Sequence, residues 1–259
     1  MIVDLHNHTP LCHHAHGDAR EYAKKAVEMG VKYFGFSDHA PMKFDEEYRM
    51  SFKEIDVYTQ IVRDVKEEFK AQIEILFAYE VDFLKGLIDE RVMRQEVDYF
   101  IGSVHFLSGW GFDNPEFIGT YKDKNIDYIW KEYFNAIEAL ANSGLFDIVG
   151  HLDLLKIFKF LPKTDIRILA GKAMRAIKKN ALVIEINTAG FRKPIGEQYP
   201  SSALLQLASE LDIPITFGSD AHEIEHIGFK SDEAIKIAKA CGYETCAVFS
   251  KRDRQMVKF

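Results

Sequence analysis

Cysteine is scarce in this sequence and lacks the pattern of a disulfide framework. The three cysteines are Cys12, Cys241 and Cys246, an odd number without any Cys-x-x-Cys pair. A small secreted fold stapled by disulfides is therefore excluded. Free thiols persist in reducing compartments, so the sequence predicts a cytoplasmic protein.

Basic charge and long apolar runs are also lacking. Lysine and arginine number 33 against 40 aspartates and glutamates, which gives a net charge of −7. This balance disfavours a nucleic-acid-binding surface, because such a surface needs a basic footprint. No apolar run has the length of a membrane span, and Met1 leads into a charged strand instead of a signal peptide. We therefore expect a small-molecule partner, neither nucleic acid nor membrane, and the oligomeric state stays open.

The sequence does contain enough apolar material for one large α/β domain. Its 259 residues are 47% hydrophobic, which suits a single domain over residues 1–259. Apolar runs of strand length alternate with helical segments, a pattern typical of parallel strands covered on both faces. The predicted strands are 2–5, 33–37, 73–79, 99–104, 147–150, 181–186 and 215–219, with a short one at 245–249. Their number favours a closed barrel over an open sheet.

Two helix starts and one long loop are also predicted. Asp18 with Glu21 and Ser51 with Glu54 have the spacing of a helix capping box. The segment 106–124 contains three glycines and a proline between predicted elements. Long ordered loops in compact domains are often functional, so we expect this segment to cover an active site.

Histidine is concentrated at the start of the chain. Five of the ten histidines fall within the first sixteen residues. His6 and His8 are two apart at a strand end, so their rings point to the same side. Pro10 forces a turn, after which one of His13, His14 and His16 can return to the same place. Because imidazole is a common ligand of zinc, iron and manganese, this stretch predicts a metal site.

Further imidazole, carboxylate and amide groups follow the other predicted strands. They are His39, Glu80, His105, His151, Asn187, Asp220 and His222. In an α/β barrel the carboxyl ends of all strands meet at one face, so we expect these groups to converge. One zinc ion takes about four ligands, so the set implies two or three ions, and a carboxylate can bridge two of them.

A basic pair follows one of these strands. Arg192 and Lys193 lie in the loop 188–199, after Asn187. They could hold phosphate oxygens, which arginine binds in a bidentate manner, or they could be solvated surface charges.

The motifs at the strand ends resemble the PHP (polymerase and histidinol phosphatase) superfamily. The matching segments are 4–9, 37–39, 102–105, 150–151 and 218–222. Two longer segments, 8–14 and 187–194, are similar to the monofunctional histidinol-phosphate phosphatases of the histidine pathway. The resemblance implies a distorted barrel of roughly seven strand–helix units, a relative of the eightfold barrel.

The resemblance also implies three divalent metal ions, which are zinc, iron or manganese in such enzymes. The first ion would be held by His6, His8, Glu80 and Asp220. The second would share Glu80 and add His105 and His151. The third would be held by His14, His39 and His222, because the family's third histidine falls six residues after the second.

The implied activity is hydrolysis of L-histidinol phosphate to L-histidinol and phosphate. The hypothesis is that a hydroxide bridging the first two ions attacks phosphorus. Arg192 stabilises charge on the oxygens, Lys193 and Asn187 bind substrate, and Asp220, His222 or a metal-bound water protonates the leaving group. Three alternatives remain at this stage: a broader phosphoesterase acting on nucleotides or other small phosphates, a DNA-associated exonuclease, and a non-catalytic metal-binding protein.

Overall fold

Among the residues that the structure describes, seven parallel strands form the central sheet. The computed structural model describes residues 1–122 and 124–259, so that Asp123, within the predicted loop 106–124, lies outside the described residues. The seven strands are β1 (Val3–Asp4), β2 (Tyr33–His39), β3 (Glu74–Asp82), β4 (Tyr99–Ser103), β7 (Ile148–Val149), β8 (Val183–Asn187) and β9 (Ile215–Gly218). They are hydrogen-bonded in the order β1-β2-β3-β4-β7-β8-β9, all in parallel. The predicted parallel α/β architecture is confirmed.

The first and last strands of this sheet meet and nearly close a barrel. The Leu5 amide donates to the Phe217 carbonyl at 2.8 Å, and the Asp220 amide donates to the His6 carbonyl at 2.7 Å. One step further along, the His8 amide donates to the Ala221 carbonyl at 3.0 Å. These bonds bring the first histidines of the chain beside the motif that ends β9.

Seven α-helices accompany the strands in the described part of the chain. They are α1 (Ala19–Glu28), α2 (Ile55–Phe69), α3 (Glu90–Met93), α4 (Ile126–Asn142), α5 (Ile166–Lys179), α6 (Ser202–Glu210) and α7 (Ser231–Ala240). The capping box at Asp18 and Glu21 is present with both of its hydrogen bonds. The second predicted box is wrong, because α2 begins only at Ile55. The Glu54 carboxylate does accept from the Ser51 amide at 2.7 Å, but the chain makes a turn there before the helix starts.

A C-terminal hairpin covers the end of the barrel where the strands begin. Its strands are β10 (Thr245–Ser250) and β11 (Asp253–Lys258), of which only the first was predicted. Arg252 donates to the Asp147 carboxylate, and the Lys251 amide donates to Asp98, both just ahead of barrel strands. Four residues of β10, Cys246 to Phe249, belong to a cluster of buried apolar side chains from the barrel strands and from α6 and α7. The opposite end, where the strands finish, stays available for a site.

The long loop after β4 folds over that opposite end. It contains a small hairpin of β5 (Phe106–Leu107) and β6 (Trp110–Gly111), followed by a 3-10 helix over Pro115–Tyr121. The rings of Trp110 and Tyr121 pack 4.7 Å apart, and Phe112 packs against Tyr133 at 5.5 Å. These aromatic side chains therefore pack within the protein. In the part of the chain that the structure describes, no helix combines the length and the apolar character that crossing a bilayer requires.

Candidate metal centre

A cavity of about 580 Å³ opens where the barrel strands end. Seven of the nine metal-ligand candidates line it: His14, His39, Glu80, His105, His151, Asp220 and His222. The other two, His6 and His8, lie beneath it and are completely buried. The structure therefore brings together side chains from positions 6 to 222 of the chain, as barrel geometry predicts.

Glu80 lies at the centre of the cluster and presents its two oxygens to different histidines. Oε2 lies 3.3 Å from His6 Nε2 and 3.7 Å from His8 Nε2. Oε1 lies 2.9 Å from His151 Nε2 and 3.7 Å from His105 Nε2. A carboxylate with this placement is suited to bridge two cations.

Among the described residues, four groups of ligand atoms have the compactness that a metal ion requires, and three of these consist of predicted ligands alone. These three are His6 with His8 and Glu80, Glu80 with His105 and His151, and His14 with His39 and His222; within each, the ligand atoms lie within 4.8 Å of one another. Four tetrahedral ligands about 2.1 Å from a zinc ion lie about 3.4 Å apart. The separations around Glu80 bracket this value.

Asp220 joins the first of these groups. Its Oδ1 lies 3.3 Å from His8 Nε2 and 3.9 Å from His6 Nε2. The backbone of Asp220 is left-handed, with φ at 51°, a conformation that aspartate tolerates better than most residues. Such a backbone turns this carboxylate toward the histidines of the barrel floor.

Cys12 offers a further possible ligand. Its sulfur is close enough to His8 and His222 to form a fourth compact group with them. The thiol is buried and free, and burial raises its pKa, which keeps sulfur in the protonated form that binds metal poorly. The all-histidine group therefore fits a cation better.

Unpartnered nitrogens support a metal at these positions. Among the described residues, buried His6 Nε2, His8 Nε2 and His222 Nε2 have no hydrogen-bond partner. Buried polar atoms are almost always paired, because an unpaired one costs about 1–3 kcal/mol. Three orphaned imidazole nitrogens directed at a common space with two carboxylates fit the donor set of a divalent transition metal.

The other nitrogen of most of these rings is held by a protein oxygen. Nδ1 of His6 contacts Glu185 Oε1 at 2.7 Å, and Nδ1 of His105 contacts Asp82 Oδ1 at 2.6 Å. Two rings use backbone carbonyls instead: His14 contacts the Cys12 carbonyl at 2.8 Å and His222 the Asp220 carbonyl at 3.1 Å. Metal-binding histidines show this arrangement, since the second hydrogen bond sets the tautomer and the ring orientation.

The carboxylates that orient these rings were missed in the sequence. Glu185 is fully buried, and its Oε2 accepts from the His151 amide at 2.9 Å. Asp82 is also buried and forms a 3.0 Å ion pair with Arg49. Asp38 Oδ1 lies 3.4 Å from His8 Nδ1. A charged residue inside an apolar strand needs a buried partner, and this signal could have identified Glu185.

The cluster shifts the pKa values of its members in opposite directions. Burial alone would lower the pKa of His6, but Glu185, Glu80 and Asp220 raise it well above its ordinary value. Asp82 and Glu80 likewise outweigh burial at His105 and raise its pKa to about 10. In return, burial would raise the pKa of Glu80, but His6, His39 and His105 lower it well below its ordinary value.

The third group behaves differently, because it consists of imidazoles alone. Burial, with His39 and His8 nearby, lowers the pKa of His14 to about 4. Burial and His8 also lower the pKa of His222 well below its ordinary value. These two rings are neutral at pH 7 and can accept a cation without first releasing a proton.

The three predicted substrate residues occupy different surroundings. Arg192 lines the cavity, and its Nη2 donates to the Ser219 and Asp220 carbonyls at 2.9 and 3.0 Å. Lys193 lines the cavity and is exposed. Asn187 is fully buried, and its Nδ2 donates to Glu185 at 3.1 Å and to Asp220 at 3.2 Å. Through these contacts the buried Asn187 side chain holds the Asp220 carboxylate in position.

The remaining histidines lie outside the three groups. His13 and His16 are exposed, and His13 Nδ1 lies 3.2 Å from the Glu47 carbonyl. His226 lines the cavity, with its Nδ1 accepting from the His222 amide at 3.4 Å. Of the three candidates in the opening loop, His14 is the one that reaches the cluster.

Family profiles and relatives of known sequence match nearly the whole length of this chain. The PHP domain profile matches residues 4–189, and a PHP-associated profile matches residues 204–229. A Deinococcus radiodurans protein named "Probable histidinol-phosphatase" is 38% identical over 249 residues, 94% of this chain and 95% of that protein. The histidinol-phosphatase of Bacillus subtilis is 30% identical and covers 87% of this chain and 95% of its own length.

Solved structures share the fold. The hisK protein of Listeria monocytogenes has a TM-score of 0.80 at 25% identity, covering 89% of this chain and 99% of that protein. The histidinol phosphate phosphatase of Lactococcus lactis has a TM-score of 0.81 at 24% identity, covering 98% of each chain. The Lactococcus structure was solved with zinc, L-histidinol and phosphate.

Proposed function

Because the chain belongs to the PHP domain family, we propose that it is a histidinol-phosphatase, which hydrolyses L-histidinol phosphate to L-histidinol and inorganic phosphate. The observation that carries this conclusion is the cluster of imidazoles and carboxylates around Glu80, at the floor of a cavity that also contains Arg192. The substrate is a small phosphate ester, and the enzyme is a phosphoric monoester hydrolase.

Three divalent ions are proposed for the three groups of ligands. His6, His8, Glu80 and Asp220 would hold the first ion. Glu80, His105 and His151 would hold the second, and His14, His39 and His222 the third. Zinc, iron or manganese suits these nitrogen and oxygen donors, and such ions when bound activate water and neutralise phosphate charge.

Arg192 is assigned to the phosphate group of the substrate. Two carbonyls hold its Nη2, while its Nη1 is buried without a hydrogen-bond partner among the described residues. A guanidinium fixed in this way presents a pre-oriented donor to a phosphate oxygen. Lys193, exposed at the cavity edge, adds positive charge that attracts the anionic ester.

Asp220 is assigned to proton transfer as well as to metal binding. Burial would raise its pKa, but His6, His8 and His222 lower it well below its ordinary value. At neutral pH it is therefore a carboxylate, which is the form that binds a cation. We also assign to it the proton of the attacking water, which it would pass to the departing alkoxide. His222, neutral at this pH, acts as a ligand, and Asn187 holds Asp220 in place through its 3.2 Å hydrogen bond.

The proposal extends to the organisation of the protein. Residues 1–259 would act as one catalytic domain, because both the first strand and the β9 motif contribute ligands. Three free cysteines and the biosynthetic activity favour the cytoplasm as its location. Neither a nucleic acid nor a membrane has a role in this reaction.

A substrate panel tests the proposed function. The zinc- or manganese-loaded enzyme is assayed for phosphate release from L-histidinol phosphate, several nucleoside monophosphates and 4-nitrophenyl phosphate. The expected result is the highest kcat/KM for L-histidinol phosphate. A clear preference for a nucleotide would reject the assignment in favour of a broader phosphoesterase.

A ligand variant tests the site. Loss of a group that only hydrogen-bonds to a metal ligand typically lowers activity roughly 10- to 100-fold. His105→Ala removes a proposed direct ligand, so it should reduce kcat/KM by more than this. His13→Ala, which alters an exposed histidine, is the matched control and should leave activity unchanged. Equal activity of the two variants, both folded by circular dichroism, would show that this cluster is not the active site.

A further inference from the structure

Tyr199 is a buried tyrosine whose hydroxyl has no protein partner in the described part of the chain. The side chain is 1% exposed, yet the residue lines the cavity above the metal centre. A tyrosine hydroxyl buried in a protein usually finds a hydrogen-bond partner. A phenylalanine would fill the same space without an unpaired polar atom, so the hydroxyl requires another explanation.

The ring of Tyr199 is held rigidly. Its amide donates to the Asn187 carbonyl at 2.9 Å, and the Asn187 amide donates back to the Tyr199 carbonyl at 2.7 Å. Gly190 packs against the ring, since a Cβ added there would lie 3.0 Å from Cε2 and 3.1 Å from Cζ. These contacts restrict both the backbone and the ring of Tyr199 before any ligand arrives.

A buried lysine stabilises the same arrangement. The ammonium of Lys156 lies 5.3 Å from the centre of the Tyr199 ring, within the range of a cation–π contact. It donates to Glu197 Oε1 at 2.7 Å and to the Gln198 carbonyl at 2.8 Å, just ahead of Tyr199. Lys156 therefore ties the loop after β7 to the segment that carries this tyrosine.

The surroundings of the hydroxyl keep it a donor. Burial, with Asp153, Asp220 and Asp113 nearby, raises the pKa of Tyr199 well above its ordinary value. The phenol therefore holds its proton at any working pH. Arg192 lines the same cavity, and among the described residues its Nη1 is also a buried donor without a hydrogen-bond partner.

We propose that the Tyr199 hydroxyl donates a hydrogen bond to a phosphate oxygen of the substrate, next to the one that Arg192 Nη1 binds. This inference rests on the proposed phosphatase function and adds a substrate-binding residue to it. Both donor atoms are buried and unpaired among the described residues, and Tyr199 and Arg192 line the same cavity as Asp220. A tetrahedral dianion offers oxygens to the two donors while its remaining oxygens face the metal centre.

The test uses Tyr199→Phe in the metal-loaded, full-length enzyme, with inorganic phosphate as the probe. Phosphate is measured as a competitive inhibitor of 4-nitrophenyl phosphate hydrolysis. The expected result is a roughly 10- to 100-fold rise in the phosphate inhibition constant, the usual worth of a hydrogen bond to a charged group. The melting temperature should stay unchanged, because the hydroxyl that is removed has no partner within the protein.

Tyr243→Phe is the matched control. Its hydroxyl donates to the Ile213 carbonyl at 2.9 Å, and Tyr243 is not among the residues lining the cavity. This variant should bind phosphate like the wild type. The comparison therefore separates loss of a hydroxyl in general from loss of the one in the cavity.

Two results would overturn the proposal. Phosphate inhibition within twofold of the wild type would mean that the Tyr199 hydroxyl binds only water. A fall in melting temperature larger than that of Tyr243→Phe would mean that the hydroxyl has a structural partner. The substrate panel tests the proposed function separately. If the wild type prefers a nucleotide but Tyr199→Phe still weakens phosphate binding, the assignment of histidinol phosphate as substrate fails. The phosphate-binding role of Tyr199 then stands.

Discussion

Replacing Glu185 with glutamine isolates the contribution of the carboxylate behind His6. The Glu185 carboxylate accepts from three groups: His6 Nδ1 at 2.7 Å, the His151 amide at 2.9 Å and Asn187 Nδ2 at 3.1 Å. The carboxamide of Glu185→Gln has the same shape but only one acceptor oxygen. Its NH₂ group must face either His6 or the His151 amide, and both of these are donors.

The size of the effect follows from these contacts. Loss of an outer-shell partner of a metal-binding histidine typically lowers metal affinity 10- to 100-fold, or about 1.4–2.7 kcal/mol. The clash between donors, fully buried, should also lower the free energy of unfolding by about 1–3 kcal/mol. His6 and His151 are ligand candidates of different ions, so the variant should weaken both sites.

The assay is competition for zinc between the protein and a chelator of known affinity, followed by elemental analysis of the dialysed protein. Glu74→Gln is the control, because Glu74 is exposed at the opposite end of β3. At saturating zinc, Glu185→Gln should regain most of its phosphatase activity, since it contacts no substrate. If Glu185→Gln binds zinc with wild-type affinity, Glu185 does not orient the His6 ring for metal binding.

Three further outcomes follow from the structure. Arg192→Ala should raise KM and the phosphate inhibition constant roughly 10- to 100-fold, because a charge-assisted hydrogen bond is lost; unchanged values would remove Arg192 from the phosphate site. Gly218→Ala should lower the free energy of unfolding by about 1–3 kcal/mol in urea titrations, because the added Cβ overlaps Glu185 Oε1, and an unaltered midpoint would contradict this packing. In the metal-free protein the pair of His105 and Asp82 should make stability depend on pH. The His105 pKa is raised from 6.5 to about 10, so its contribution is complete below about pH 6.5 and is lost as pH rises through about 10. The lowered pKa of Asp82 makes its contribution present above about pH 3.8 and lost in stronger acid. Urea unfolding of wild type and His105→Gln at pH 6 and pH 10 measures this, and an equal difference at both pH values would contradict it.

The convergence of the ligands was predictable from the sequence because it depends on topology alone. Parallel strands of a barrel end at one face whatever their side chains, so His39, Glu80 and His105 had to meet once the strands were located. The exact strand ends mattered little. β3 runs through Glu80 to Asp82, beyond the predicted end, without moving Glu80 from that face.

Capping-box spacing and strand hydrophobicity predicted some elements correctly and missed others, because each describes only a short stretch of the chain. The Asp18 capping box forms as predicted, with both of its hydrogen bonds present. Ser51 and Glu54 have that spacing but form only a turn, because the spacing permits either outcome. The second strand of the C-terminal hairpin, β11, is mostly exposed and lacked the apolar character that marks the barrel strands.

Only the tertiary structure decided which nitrogen of each ring faces the metal centre and what holds the other. The partner of His6 is Glu185, 179 positions away in the sequence, and their 2.7 Å contact depends on how two strands are placed in the barrel. The unpaired hydroxyl of Tyr199 likewise appears only once its surroundings are packed. By itself the sequence determined which groups meet, since strand order and residue type are written along the chain. Orientation and hydrogen-bond pairing were decided in three dimensions, because they depend on ångström-scale distances between distant segments.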